Sequence, residues 1–520
     1  MMLRGEAASF DPLVLAALLF LAFWVAATLW WWDAPLRLTI FVKRRILGDK
    51  KVPRLPPGGM GFPFVGDFPF ILLNGDPDKY GTYKVNKAKL GGISCSSCPP
   101  IASHSIMLSS HEAVTWGLAL ENRGLEGIWP RSTQTLLGKN SVTVLTGKAH
   151  KRMRSALVPV FQPHHLRQYV ECMNGIVRGH LAKEWTPANG SPTKRILAKD
   201  EMKALTFNII ADLVLGLDLV KECDTVEKLN NHFEVWLKGL FMPAIKIPGS
   251  PYVAALKARE EIKTILIEVV QRRRKSSATR DKRDVIDIML APTKDDSGQE
   301  ILLSDDEIFD TLLNLLFAGT DTSTCGMTWV LKLLCDNPDL LDRLRQEHLE
   351  LRRKRKEDPT AETHIDWDEI ESLRYTNQVI FEALRMHPPV TGSFRKVTKD
   401  LTYNGYLIPK GYTVTFDFTS MSKDPKHHGS SALFNPDRFE SDTALGGLSH
   451  PGFQLFGGGA RMCIGYRLAI AEMNVFIHHM VLDYDWTHSP DSKKDDLTFF
   501  PLPLPVDGLP LDVKRRDRGT

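Results

Sequence analysis

Phe456-Gly457-Gly458-Gly459-Ala460-Arg461-Met462-Cys463-Ile464-Gly465 sets one cysteine in a glycine-rich loop, with an arginine two residues before it and a glycine two residues after. Glycines let the backbone approach a flat ligand closely and tolerate positive φ. Backbone N–H groups released by such a loop can hydrogen-bond the sulfur and moderate its charge. An apolar, helix-like run follows from Tyr466 to Leu482, so the sulfur sits near a helix N-terminus, where the dipole favours a thiolate. That setting suits an axial ligand of haem iron, with Arg461 pairing a haem propionate through its planar fork. The competing reading is a buried structural cysteine beside a glycine turn, which a match at five positions makes the weaker one.

Upstream, Ser304-Asp305-Asp306-Glu307 has capping-box spacing, with Ser304 as N-cap and Glu307 at N3. Ile308, Phe309, Leu312, Leu313, Leu315, Leu316 and Phe317 follow, apolar nearly all round, which predicts a buried helix. Ala318-Gly319-Thr320-Asp321-Thr322-Ser323 interrupts that pattern before Trp329 to Leu334 resume it. Glycine, an acid and hydroxyls cost stability at a buried helical position. Two readings stand here. One is a small-residue helix crossing with hydroxyls bonded back to their own helix. The other is a groove for a diatomic ligand and water, with Asp321 and Thr322 supplying protons.

The chain has 520 residues, 43% of them hydrophobic, enough for a large core. Its formal net charge of +4 is small and spread out, which argues against nucleic-acid binding. The basic runs from Gln271 to Arg283 and from Arg352 to Lys356 read as solvated faces, with docking of an acidic redox partner as the minority reading. Seven cysteines lie at scattered positions with no paired framework, which suits a reducing compartment. Cys95-Ser96-Ser97-Cys98 is a lone CxxC and reads as a loop with two incidental thiols. From Pro12 to Trp32 run 21 residues without a charge, ending in three tryptophans that suit an interfacial belt. Arg37, Lys43, Arg44, Arg45, Lys50, Lys51 and Arg54 follow, so the positive-inside rule puts everything after the span in the cytosol. This reads as a signal anchor over residues 1–33, a basic and proline/glycine-rich hinge over 34–61, and a catalytic domain over 62–520. Helical periodicity from about 110 to 390, with strand-like pieces at Ile106–Leu108 and 401–416, predicts a mainly α (α+β) fold with a small β-rich portion.

With Cys463 in its loop and the polar hexad about 140 residues upstream, the chain resembles the cytochrome P450 family. Glu382-Ala383-Leu384-Arg385 matches the family's ExxR pair, and Asn435-Pro436-Asp437-Arg438-Phe439 its PxRF segment. The resemblance implies a Glu382–Arg385–Arg438 structural cluster, a propionate-binding role for Arg395, and haem contacts from Phe456, Arg461 and Cys463. His150-Lys151-Arg152-Met153-Arg154 stands where the family often has Trp-x-x-x-Arg, which implies haem contacts from His150 and Arg154, with histidine in place of tryptophan. Trp129-Pro130-Arg131-Ser132-Thr133 and Gly147 to Arg152 are similar to kaurenoic acid oxidases. Ser393 to Val397 and Pro505 to Pro510 recur across the branch of plant sterol, triterpenoid and brassinosteroid oxidases.

The resemblance further implies haem b held by Cys463, dioxygen as oxidant, and electrons from NADPH through NADPH–cytochrome P450 reductase. It implies an endoplasmic reticulum membrane protein with one N-terminal transmembrane helix and a cytosolic catalytic domain. The expected reaction is hydroxylation or oxidation of a small hydrophobic substrate, a bulky isoprenoid such as a sterol, triterpenoid or diterpenoid, with Asp321 and Thr322 as catalytic residues. The Trp129 region, Phe317, Val390 to Ser393 and Phe499-Phe500 are candidate pocket walls. Alternatives are a retinoid or other lipid hydroxylase of the same fold, or a haem protein that rearranges oxygenated lipids or only binds ligand.

Overall fold

In the computed structural model the described residues are 12–49, 51–61, 66–67, 90–98, 102–188, 191–276, 284–294, 298–356, 364–440, 453–493, 496–498 and 502–516. They divide into two compact units, one drawn from Met1–Leu108 and Lys396–Thr415, the other from Ser109–Arg395 and Phe416–Thr520. Phe499, Phe500, Lys50 and the residues before the apolar run lie outside the described set.

The first unit opens with helix α1 (Pro12–Trp31) and α2 (Ala34–Phe41), separated by Asp33 in the left-handed region at φ 52°. Among the described residues no single helix is long and apolar enough to cross a membrane, whereas Ala16–Trp31 and Ala34–Ile46 meet that requirement together, bent by 63°. The three tryptophans do not behave alike. Trp30 is exposed, but Trp31 is buried and its indole N–H donates to the Met60 carbonyl at 2.8 Å. Trp32 donates to Gly61 O at 3.0 Å, and the Tyr412 hydroxyl donates to the Asp33 carboxylate at 2.5 Å. Residues 54–61 are held as well. Arg54 N–H bonds Gly405 O, Leu407 N–H bonds Arg54 O, and Cys95 N–H bonds Pro57 O at 2.7 Å. In this unit Ile93–Cys98 pairs antiparallel with Ala102–Leu108, with Ile93 opposite Leu108, and Leu401–Tyr403 pairs antiparallel with Tyr406–Ile408.

The second unit is helix-rich with small sheets. Its elements near the site are α3 (Gly147–Leu157), α4 (Pro163–His180), α5 (Ala198–Leu215), α6 (Cys223–Gly239), α7 (Asp305–Asp336), α8 (Pro338–Lys356), α9 (Arg374–Met386) and α10 (Tyr466–Asp483). A three-stranded antiparallel sheet joins Tyr484–His488, Pro510–Arg515 and Lys194–Leu197, with Tyr484 opposite Arg515 and Leu511 opposite Ile196. The core runs from Leu136 through the apolar faces of α4, α5, α7, α9 and α10.

Helix α7 begins where its sequence says it should. Ser304 Oγ accepts from Glu307 N–H while the Glu307 carboxylate accepts from Ser304 N–H at 2.9 Å. It then runs 32 residues, about 48 Å, without a break. The polar hexad interrupts the apolar pattern but not the helix: two of its hydroxyls, and that of Thr324 just beyond it, bond back to carbonyls one turn earlier. Thr320 bonds Leu316 O at 2.8 Å, Thr322 bonds Ala318 O, and Thr324 bonds Thr320 O at 2.9 Å. Gly319 serves close packing: a Cβ there would lie 2.5 Å from Ile210 Cδ1 on α5.

The basic runs are partly consumed by ion pairs inside the second unit. Arg272 pairs with Glu222 at 2.7 Å, Arg273 is buried on Asp284 and Asp287, Arg274 pairs with Asp305, and Arg355 with Glu369.

Candidate active site

Cys463 follows a 3-10 turn, Gly459–Arg461, and its N–H bonds the Phe456 carbonyl at 2.8 Å, which closes the loop. Gly459 adopts φ 61°, and a Cβ there would lie 2.8 Å from Leu118 O, so a side chain would meet both strain and a clash. Helix α10 starts three residues after the cysteine. The Cys463 side chain has accessible surface, yet its surroundings raise the thiol by burial, opposed by the Gly465 N–H and the Arg154 charge. It is a wall residue of the interior rather than an outer-surface residue.

Three arginines gather around that interior. Arg461 donates through Nε to Glu121 Oε1 at 2.6 Å and through its two Nη atoms to Thr143 O and Leu145 O, at 3.3 and 2.6 Å. Arg395 donates through Nε to Glu121 Oε2 at 2.6 Å and through Nη1 to Ser393 Oγ and Phe394 O. Arg154, on α3, has a guanidinium with no hydrogen-bond partner among the described residues, and it feels the charges of Cys463 and Arg461. His150, one turn before it, is buried. Burial and the Arg461 and Arg154 charges lower its pKa to about 4, so it is neutral at cellular pH. Glu121 was invisible to sequence reasoning. Burial works against its ionisation, but Arg395 and Arg461 outweigh it and hold the carboxyl below its usual range.

The acid–alcohol pair faces other partners. Asp321 lies 3.8 Å from Lys203 Nζ of α5, which also pairs with Glu234 of α6 at 2.6 Å. Burial, opposed by Lys203 and aided by Glu234, raises the Asp321 pKa. The Thr322 hydroxyl donates to Ala318 O, leaving its oxygen able to accept. Neither touches the arginine set. The tie to the cysteine side runs through the next residue: Ser323 Oγ donates to Glu472 Oε2 of α10 at 2.7 Å. Glu472 is buried, its Oε1 has no partner among the described residues, and burial raises its pKa to about 8. Phe207, Phe233, Trp236 and Phe317 form a continuous aromatic series, with neighbouring centroids 5.4–5.8 Å apart.

Glu382, Arg385 and Arg438 are brought together. Glu382 and Arg385 are fully buried and form two hydrogen bonds, at 2.7 and 2.9 Å, while Arg438 Nε reaches Glu382 Oε1 at 3.3 Å. Arg385 also donates to Ser422 O and Ser431 O, and Arg438 to His428 O and Ser430 O. The cluster therefore pins α9 to the segment of short helical turns around residues 422–438.

Residues 56–507 match the family model described as cytochrome P450. The chain belongs to the cytochrome P450 family. It is 28% identical over 482 residues to abscisic acid 8'-hydroxylase 1 of Arabidopsis thaliana, covering 92% of this chain and 95% of that one. It is 30% identical over 468 residues to taxane 13-alpha-hydroxylase of Taxus cuspidata, covering 89% and 92%. Among solved structures it resembles retinoic acid bound cyanobacterial CYP120A1, with TM-score 0.77 and 28% identity over 89% of this P450 and 100% of that chain. The protein is thus a cytochrome P450 monooxygenase.

Family membership implies haem iron on a cysteine thiolate. The residues present fit that group: a thiol in a glycine loop beside a helix start, a half-buried Arg154 guanidinium with no hydrogen-bond partner among the described residues, and two further arginines sharing one carboxylate.

Proposed function

We propose that this P450 hydroxylates or otherwise oxidises a bulky isoprenoid, and that Cys463 is the residue whose thiolate would hold haem iron. Arg154, Arg395 and Arg461 would hold the haem carboxylates, and His150 and Phe456 would contact the ring. The reading is carried by the charge set around Cys463: three guanidiniums and one carboxylate, an excess of two positive charges in the interior, matching a porphyrin with two carboxylates. Haem supplies the dioxygen activation and the electron storage. The chain's own residues bind, orient and move protons. Thr322 accepts a hydrogen bond from water, and Asp321, lifted above the ordinary carboxylate range, gives and regains a proton. Phe317, Trp236 and Ile210 keep the neighbourhood of Gly319 apolar. Glu382, Arg385 and Arg438 are structural.

Electrons come from NADPH through NADPH–cytochrome P450 reductase. The isoprenoid class is supported by the relatives' activities on abscisic acid and a taxane. A retinoid is the second reading, favoured by the structural neighbour with bound retinoic acid. The protein is anchored in the endoplasmic reticulum membrane by its N-terminal apolar run, with the body in the cytosol. The apolar length, the basic residues after it and the bent helix pair support this.

The test is microsomal expression with the reductase and NADPH, screening sterols, triterpenoids, diterpenoid acids, abscisic acid and retinoic acid by mass spectrometry. The expected result is an NADPH-dependent product one oxygen atom heavier than an isoprenoid substrate. Oxygenation confined to other lipid classes, or none at all from a protein with an intact haem spectrum, would overturn the reading.

A further inference from the structure

We propose that Glu121 is a tuning residue: it sets the net charge of the haem-carboxylate-binding arginines at two and thereby holds the haem reduction potential down. The inference rests on the assignment of Arg154, Arg395 and Arg461 to the haem carboxylates.

Glu121 is built in rather than incidental. It sits in a tight turn in which Asn122 N–H bonds Leu125 O at 2.8 Å and Asn122 adopts φ 60°. Its side chain is 4% exposed, and each carboxylate oxygen takes one arginine Nε at 2.6 Å. Gly127 N–H adds a contact to Oε1 at 3.3 Å. The same glycine makes room for the arginine, since a Cβ at position 127 would lie 2.6 Å from Arg461 Cζ. Both arginines keep further acceptors: Ser393 Oγ and Phe394 O for Arg395, Thr143 O and Leu145 O for Arg461. Their placement therefore does not depend on Glu121 alone. What only Glu121 contributes is a fixed negative charge. Without it the set would carry three positive charges against two haem carboxylates.

Charges interact far more strongly in a protein interior than in water. Reduction adds one negative charge to the haem, so a fixed carboxylate nearby disfavours it. Glu121→Gln removes that charge while keeping size and an acceptor oxygen. The expected result is a positive shift in the midpoint potential of the purified, haem-loaded protein. A tenfold change in the one-electron equilibrium corresponds to about 59 mV. Haem loss to a scavenger protein should slow in the same variant. Arg395→Gln removes one positive charge and should move the potential in the opposite direction and speed haem loss. It also serves as the independent check if Glu121→Gln does not accumulate as folded protein.

A purely structural clasp predicts the same direction of change in both variants, because each breaks the same contact. Equal signs, or potentials unchanged from the parent protein, would overturn the tuning role. If instead Arg154→Leu and Arg395→Gln both release haem no faster than the parent, the carboxylate-binding assignment itself falls, and the tuning role with it.

Discussion

At the scale of single residues, Cys463 is opposed by its own burial: the thiol is raised, while the Gly465 N–H and Arg154 pull the other way. A bound metal ion overrides that balance by deprotonating a coordinating thiol outright. Cys463→Ser should therefore abolish the red-shifted carbon-monoxide band of thiolate-ligated ferrous haem, and an unchanged band would remove Cys463 as ligand. Glu472 gives a pH prediction. Burial raises its pKa from 4.5 to about 8. A raised acid contributes stability that is fully present below the unfolded value near 4.5 and is lost as pH rises through about 8. Glu472→Gln removes this dependence. Its melting temperature relative to the parent should climb between pH 6 and pH 8, by the equivalent of about 2 kcal/mol. A difference that stays flat across that range contradicts the buried-acid assignment. These two residues differ in how far the sequence exposes them. Cys463 stands in a local pattern of glycines and an arginine, whereas Glu472 is one of several polar residues along α10, and only its neighbour across space, Ser323, reveals its state.

Among the elements, the capped start of α7, the α9 pair and the start of α10 are legible because each depends on residues within a few positions of one another. The Glu121 contacts are not legible. Arg395 and Arg461 lie 274 and 340 residues away, and no periodicity links such positions. Lys203 is hidden for the same reason, being a lysine on a helix whose partner Asp321 belongs to another. Two substitutions test how elements are locked. Arg385→Leu leaves the Glu382 carboxylate buried and stripped of its main partner, which should cost about 3–5 kcal/mol and lower the yield of haem-loaded protein. Gly138 sits at φ 93°, and a Cβ there would lie 2.0 Å from Asp310 Oδ1, which itself pairs with Arg259 at 2.6 Å. Gly138→Ala should therefore destabilise by about 2–4 kcal/mol through backbone strain and the displaced ion pair. A melting temperature within error of the parent would contradict either argument.

For the whole molecule, composition and periodicity convey a helix-rich body with small sheets, and the structure has that character. They do not convey which of three adjacent tryptophans is a core residue. Trp31 is 4% exposed while Trp30 is 61% exposed, because the chain turns at Asp33 and the fold takes in one face of the helix end. Truncation tests this. A chain lacking residues 1–29 should melt higher than one lacking residues 1–32, since only the first keeps Trp31 and its bond to Met60. Equal melting temperatures would make Trp31 dispensable. The same contacts decide how the apolar helix meets its unit. With Trp31 inside, Trp32 bonded to Gly61 O and the Asp33 carboxylate gripping Tyr412, the junction is a bracket rather than a swivel. On the proposed anchoring, a loosely tethered unit would roll freely over a bilayer, whereas this one would arrive with its own tilt already chosen by its folding.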